Sequence, residues 1–343
     1  MKDLCKYGTN RVLEPSGVLP QAATKISNEM KIYDNEILID VITLNIDSAS
    51  FTQIKNACDK DVSKMEEMIL DIVNTRGKMQ NPVTGSGGML IGTIKEIGSE
   101  FPNKEIRVGD KIATLVSLSL TPLKIKKINS INLDNDQVNI TGEAILFESG
   151  IFAKVPTDMD EHLVLAALDV AGAPAQVDKL VKENDTVLII GAAGKSGVLC
   201  AHQAMVNAGP NGTVIGVVNE MWQVELLKEL GLCHKVVLAD ATNAIEVYEK
   251  VKEVHSELAD VTINVVNVQN TEMSCILSTK DDGVVYFFSM ATSFTKAALG
   301  AEGVGSDVTM IIGNGYTKGH AELTLNVVNN NKNIKELFER LYT

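Results

Sequence analysis

The sequence predicts an α/β protein in two parts: a β-rich first half over residues 1–160, and a doubly wound parallel sheet covered by helices over residues 161–343. Three observations carry this. At roughly 100–200 residues per domain, 343 residues make about two domains, each long enough to bury its own core. The first 160 residues read as short apolar strands broken by turns, and from about residue 184 strand and helix patterns alternate.

In the first half, residues 37–41 are apolar and β-branched, residues 91–94 alternate, and residues 111–116 follow the turn signal Gly109-Asp110. One helix interrupts these strands. Ser63 and Glu66 have capping-box spacing, Met65, Met68, Ile69, Ile72 and Val73 recur at helical spacing, and Gly77 ends the run. That stripe is read as core packing. In the second half, residues 187–190, 214–218, 235–238, 261–266 and 284–288 are rich in β-branched or aromatic residues, with helical patterns such as 224–230 and 244–257 between them. Continuous apolar strands of this kind suit a parallel sheet buried on both faces. Asn329-Asn330-Asn331 reads as a loop.

Composition narrows the partners. The formal charge of −13 repels phosphate backbones and anionic headgroups, so nucleic acid and membrane surfaces are poor partners and a small molecule is expected. The 4% aromatic content weakens any base-stacking proposal, and 45% hydrophobic with 22% charged residues suits a folded soluble protein. No apolar run approaches the ~18 residues that cross a bilayer, and the start lacks a signal-peptide core, so a cytoplasmic location is expected. Cys5, Cys58, Cys200, Cys233 and Cys275 are widely spaced without a CxxC pair and read as free thiols, not as a disulfide framework or zinc knuckle.

The most informative motif follows the strand at 187–190. Gly191-Ala192-Ala193-Gly194-Lys195-Ser196-Gly197 runs straight into an apolar helical start. Glycines permit a tight turn, a close backbone approach to pyrophosphate and close helix packing, while the free amides and dipole of the helix start favour phosphate charge. Gly191, Gly194, Lys195, Ser196 and Gly197 are therefore candidate dinucleotide contacts. The next strand ends Val217-Val218-Asn219-Glu220, so no acid stands at the strand tip and Asn219 is best placed for the adenosine ribose. NAD is expected. NADP stays open, because the carboxylate that would repel a 2′-phosphate is missing and Lys195 could pair with it.

Residues 85–98, Val108-Gly109-Asp110-Lys111, Lys154-Val155-Pro156 and the glycine loop together resemble successive landmarks of the medium-chain dehydrogenase/reductase superfamily. The resemblance implies a GroES-like catalytic domain, then a Rossmann domain, and a homodimer or higher homo-oligomer paired through the Rossmann sheet. In a departure from the family, the sequence stops at Thr343 before the last strands that usually return to the catalytic domain, so the helices after Gly319 are expected to stay with the Rossmann half. Where zinc-dependent members keep metal ligands, this sequence has Asp47, Gly85-Ser86-Gly87 and Val170, of which Asp47 alone could ligate a metal. The five histidines, at 162, 202, 234, 255 and 320, show no paired ligand spacing, so an enzyme without zinc is expected.

More narrowly, residues 44–54, 81–89, 168–176 and 286–294 resemble the family of L-erythro-3,5-diaminohexanoate dehydrogenases of anaerobic lysine fermentation. The resemblance implies oxidative deamination of a diamino acid at carbon 3 by a nicotinamide cofactor. That chemistry asks for a base to take a proton from the bound ammonium and to orient the water that attacks the iminium. Asp47 is the first choice and Asp169 the second; the competing reading of each is a turn or helix-cap carboxylate. Ser86, Thr84 and Ser48 are small polar groups that could relay protons or bind an amine. Arg76, and less well Lys78, could clamp the substrate carboxylate, or be solvated helix-end cations. Ser289, Met290 and the Gly313-Asn314-Gly315-Tyr316 loop, Asn314 above all, are expected near the nicotinamide, against a plain reading as strand-end turns. Two other functions compete: a zinc-free quinone or enone reductase, and a noncatalytic cofactor-binding protein.

Overall fold

The computed structural model describes residues 4–313 and 315–342. Its contacts divide the chain after Asp169 into two compact units, the second being Val170–Leu341. Each has its own sheet.

The first unit opens with an antiparallel pair, β1 (Val12–Glu14) and β2 (Lys25–Ile26). It continues through β3 (Glu36–Ile46), helices α1 (Ser48–Ala57) and α2 (Val62–Arg76), β4 (Gly88–Ile97), β5 (Lys111–Thr114), β6 (Leu123–Asn132), β7 (Gln137–Phe147), β8 (Phe152–Lys154) and α3 (Glu161–Leu168). Six strands form one antiparallel sheet in the order β6-β7-β3-β4-β5-β8. Ile37, Ile39, Leu44 and Ile46 of β3 are buried in one core with Phe51 and Ile54 of α1 and with Met65, Ile69 and Val73 of α2. Each large side chain so buried contributes about 1.5–3 kcal/mol, which is why the α2 stripe is packing and not a ligand face.

Two expectations need correction here. Two helices follow β3, because α1 packs beside α2 on the same core. The cap of α2 is Asp61, whose carboxylate accepts the amides of Ser63 at 3.0 Å and Lys64 at 3.3 Å, instead of a Ser63–Glu66 box. Asp outranks most residues at that position, and here it stands earlier in the chain than the expected serine. Gly77 does end α2, in the left-handed region at φ 75°, and a Cβ there would lie 2.1 Å from the Ile26 carbonyl oxygen. Helix α3 stays with the first sheet, beyond the expected boundary at 160, because Lys111 of β5 pairs with Glu161 and Gln137 of β7 bonds the His162 ring.

The second unit contains α4 (Gly172–Leu180), β9 (Thr186–Ile190), α5 (Lys195–Ala208), β10 (Thr213–Val218), α6 (Met221–Leu230), β11 (Lys235–Leu238), α7 (Ala244–Val254), β12 (Ala259–Asn264), α8 (Glu272–Leu277), β13 (Thr279–Phe287), α9 (Phe294–Val304), β14 (Thr309–Ile312), α10 (His320–Asn330) and α11 (Lys332–Tyr342). Its six strands are all parallel, ordered β11-β10-β9-β12-β13-β14. Chain order reverses between β9 and β12, so the crevice beyond their carboxyl ends is where this topology binds ligands. β14 was not expected: its four residues are only partly buried and lie at the sheet edge. The 329–331 cluster is not a plain loop, since α10 runs to Asn330 and the Asn331 side chain caps α11 by accepting the Ile334 amide at 3.1 Å. Helices α10 and α11 lie in this unit up to Leu341.

Candidate active site

The glycine loop sits where the topology puts a ligand. The amides of Gly191 and Ala192 both donate to the Val217 carbonyl, at 3.0 and 3.3 Å, and that of Gly194 turns back to the Gly191 carbonyl at 3.1 Å. Gly191 has φ 88°, and a Cβ on Gly197 would lie 2.2 Å from the Gly191 oxygen, so the helix start rests directly on the loop. Lys195 and Ser196 are the first residues of α5, where unbonded amides gather.

Beside the loop lies a cavity of about 380 Å³, walled by Gly191, Gly194, Asn219, Gln223, Asp240, Thr242 and residues 265–268, among others. Among the described residues its wall carries no lysine or arginine. Asn219 is placed as expected, and Gln223 beneath it accepts the amides of Asn219 and Glu220 at 3.1 and 3.2 Å. Glu220 turns aside and accepts the Trp222 indole N–H at 2.5 Å. An acid is present after all, on the neighbouring strand end: Asp240 accepts the amide and hydroxyl of Thr242 at 2.9 and 2.8 Å, and these bonds hold its carboxyl below the usual range. Sequence reasoning looked for the acid only at the tip of β10. Ser289 and Met290 do not wall this cavity; the Ser289 amide donates to the Asn264 carbonyl at 3.3 Å, and Met290 is 76% exposed. Asn314 lies outside the described residues.

In the first unit, the first turn of α1 meets the loop before β4. Asp47 is the N-cap of α1, accepting the Ala49 amide at 3.0 Å, so the capping reading of this residue holds whatever else it does. It is half-buried, and its own amide donates to the Gly87 carbonyl at 3.2 Å. Ser48 donates to Asp136 at 2.6 Å. Ser50, which sequence reasoning passed over, is fully buried, with its hydroxyl 2.6 Å from both the Thr84 and the Ser86 hydroxyls. Asn81, also missed, fixes the loop to the helix: its amide donates to Gln53 at 2.7 Å and to the Ser50 carbonyl at 3.3 Å, and its oxygen accepts the Val83 amide at 2.8 Å. The Asn81-Pro82 pair was the available signal, since Asn before Pro favours a turn.

The remaining candidates fall elsewhere. Lys78 is wholly buried, and its ammonium donates to the carbonyls of Pro20 at 2.6 Å and Gln21 at 3.3 Å, so it fastens the N-terminal hairpin and does not face a substrate. Burial, with help from Arg76, lowers its pKa to about 8. Arg76 is half-buried and donates to Gln80 at 3.1 Å, while Gln80 in turn donates to the Gly85 carbonyl at 3.2 Å, which keeps the guanidinium tied to the loop. Asp169 is exposed at the end of α3, its amide bonded to the Leu165 carbonyl at 3.0 Å. Among the described residues no group of three or more His, Cys, Asp or Glu is placed to hold a metal ion.

An antiparallel six-stranded unit followed by a 3-2-1-4-5-6 parallel sheet with a glycine-loop cavity is the fold of medium-chain dehydrogenases/reductases. Solved structures agree on the fold: a mycobacterial quinone oxidoreductase matches with TM-score 0.55 at 16% identity over 94% of this chain and 87% of its own, and an alcohol dehydrogenase from Thermotoga maritima with 0.55 at 14% over 90% and 85%. The profile of the L-erythro-3,5-diaminohexanoate dehydrogenase N-terminal domain matches residues 10–156. L-erythro-3,5-diaminohexanoate dehydrogenase of Acetoanaerobium sticklandii is 61% identical over 98% of this chain and 99% of its own, and that of Fusobacterium nucleatum subsp. nucleatum 59% over 100% of both. The chain belongs to the L-erythro-3,5-diaminohexanoate dehydrogenase family.

Proposed function

We propose that the chain catalyses NAD-dependent oxidative deamination of L-erythro-3,5-diaminohexanoate, giving 5-amino-3-oxohexanoate, ammonia and reduced cofactor. The observation that carries this is identity of 59–61% along essentially the whole length with relatives of that name. A quinone or enone reductase is not favoured, because solved structures with such names match at only 16–18% identity, which speaks for the fold alone.

The glycine loop and its cavity fit a dinucleotide: the start of α5 would hold the pyrophosphate, and Asn219 the ribose. A bound nicotinamide supplies the acceptor for the hydride leaving carbon 3. NAD is preferred over NADP, because the cavity wall offers no cation to a 2′-phosphate and sets the ionised Asp240 beside it. On the substrate side, Asp47 takes the proton from the carbon 3 ammonium and then orients the attacking water, with Ser86 and Thr84 binding the amine and Arg76 clamping the carboxylate. Asp169 is the reserve for the base, and no zinc takes part.

Self-association through the parallel sheet is supported by β14, which ends the strand order and turns Ile312, 63% exposed, outward. A cytoplasmic role in lysine fermentation suits the reaction and five free thiols, and no helix among the described residues is long and apolar enough to cross a membrane. The test mixes purified protein with NAD or NADP and the diamino acid, following reduced cofactor and released ammonia together. Cofactor reduction without ammonia, or turnover of quinones alone, would overturn the proposal.

A further inference from the structure

The hydroxyls of Ser50, Thr84 and Ser86 form a closed triangle, with oxygens 2.6, 2.6 and 3.2 Å apart. Ser50 is wholly buried at its apex, Ser86 is half-buried and Thr84 exposed. A hydroxyl has one proton and two lone pairs. Around a closed triangle each proton is spent on the next oxygen, leaving one lone pair per oxygen pointing away from the ring. Those of Thr84 and Ser86 lie on the accessible side. The Ser86 carbonyl, 3.4 Å from the Ser50 oxygen, is a poorer acceptor for the Ser50 proton than either hydroxyl. The Thr84 oxygen receives the Ser86 amide only at 3.4 Å, which leaves it able to accept a better donor.

We propose that this triangle is a binding site for a primary ammonium group, in which buried Ser50 closes the ring of hydrogen bonds and so leaves the outward lone pairs of Thr84 and Ser86 as acceptors. The assignment rests on the functional reading above and identifies which atoms receive the substrate amine. A carboxylate is refused, because a donor reaches it only if the ring opens. Asp47, the N-cap of the same helix, and Asp136, which reaches its first turn by accepting the Ser48 hydroxyl, add favourable charge for a cation. Ser50 is a positioning residue: it acts through the two outer hydroxyls.

Propylammonium and propionate serve as unreactive probes, titrated into the whole protein while the amide resonances of residues 83–87 are followed by NMR. Saturable shifts are expected with propylammonium and not with propionate. Ser50→Ala should weaken propylammonium at least tenfold while melting near the wild-type temperature and binding NAD unchanged. Thr84→Val should weaken it likewise, and Thr84→Ser, which restores the hydroxyl, should recover the affinity. Equal affinity in wild type and Ser50→Ala, or shifts by propionate alone, would overturn the assignment. Propylammonium binding by a protein that deaminates nothing would overturn the reaction and leave the ammonium site standing.

Discussion

Alanine at Gly197 separates a glycine required by packing from one required by ligand approach. Its Cβ would lie 2.2 Å from the Gly191 oxygen and 2.6 Å from the Ala192 carbonyl carbon, more than 1 Å inside the ordinary contact distance. Neither atom is free to retreat: the Gly191 oxygen accepts the Gly194 amide, and the Gly191 and Ala192 amides are fixed to the Val217 carbonyl. Overpacking of this kind costs about 1–3 kcal/mol. For a unit of this size, 2 kcal/mol lowers Tm by roughly 4–8 °C. The start of α5, proposed to hold the pyrophosphate, would shift as well, and losing one charge-assisted bond of about 1.5–3 kcal/mol should weaken NAD about tenfold to a hundredfold. Gly194 is the internal control. Its φ is −75° and the nearest atom to an added Cβ is 3.5 Å away, so Gly194→Ala should keep its Tm. Calorimetric melting and NAD titration of both variants decide the matter. Wild-type Tm and affinity in Gly197→Ala would show that the helix start does not rest on the loop as described.

Asp47→Asn should keep Tm, because Asn caps a helix about as well as Asp, while turnover falls by about 10²–10⁴ and NAD affinity is unchanged; comparable turnover moves the base to Asp169. Glu36→Gln should cost about 3–5 kcal/mol in a denaturant titration, since Arg11 donates to both Glu36 oxygens, at 2.8 and 2.6 Å, with the two side chains 3% and 2% exposed. Lys78 should make stability rise with alkaline pH. Its folded pKa of about 8 lies below the unfolded value, so between pH 8 and roughly 10.4 the unfolded chain binds the extra proton and folding gains. Relative to Lys78→Met, the wild type should gain roughly 2–3 kcal/mol from pH 7 to pH 10; parallel stability profiles would refute this.

Much of the architecture was legible because it rests on periodicity and on turn chemistry. The α2 stripe, the Gly77 stop, the glycine loop and five of the six strands of the parallel sheet are each a local pattern with a direct physical cause. What escaped was tertiary. Helix α1 carries Ser50, Phe51 and Ile54 inward on so short a run that its periodicity does not announce a helix. Edge strand β14 is only four residues long, too short a run to announce a strand. Lys78 looks like a helix-end cation, and only the path of residues 20–21 across it reveals a buried anchor. Of the proposed site, Asp47, Thr84 and Ser86 were named from a resemblance, while Ser50 and Asp240 depend on which side chains the fold brings face to face.

Gln80 joins two segments far apart in sequence. Its amide donates to the Gln21 carbonyl at 3.0 Å as well as to Gly85 at 3.2 Å, and neighbouring Lys78 grips Pro20 and Gln21. The hairpin of β1 and β2 is thereby spliced to the loop that carries Thr84 and Ser86. Evolutionary or engineered changes near residue 20 will be felt at that loop as changes in slack. A mutational map of the N-terminal stretch should then read as a map of affinity at the proposed ammonium site.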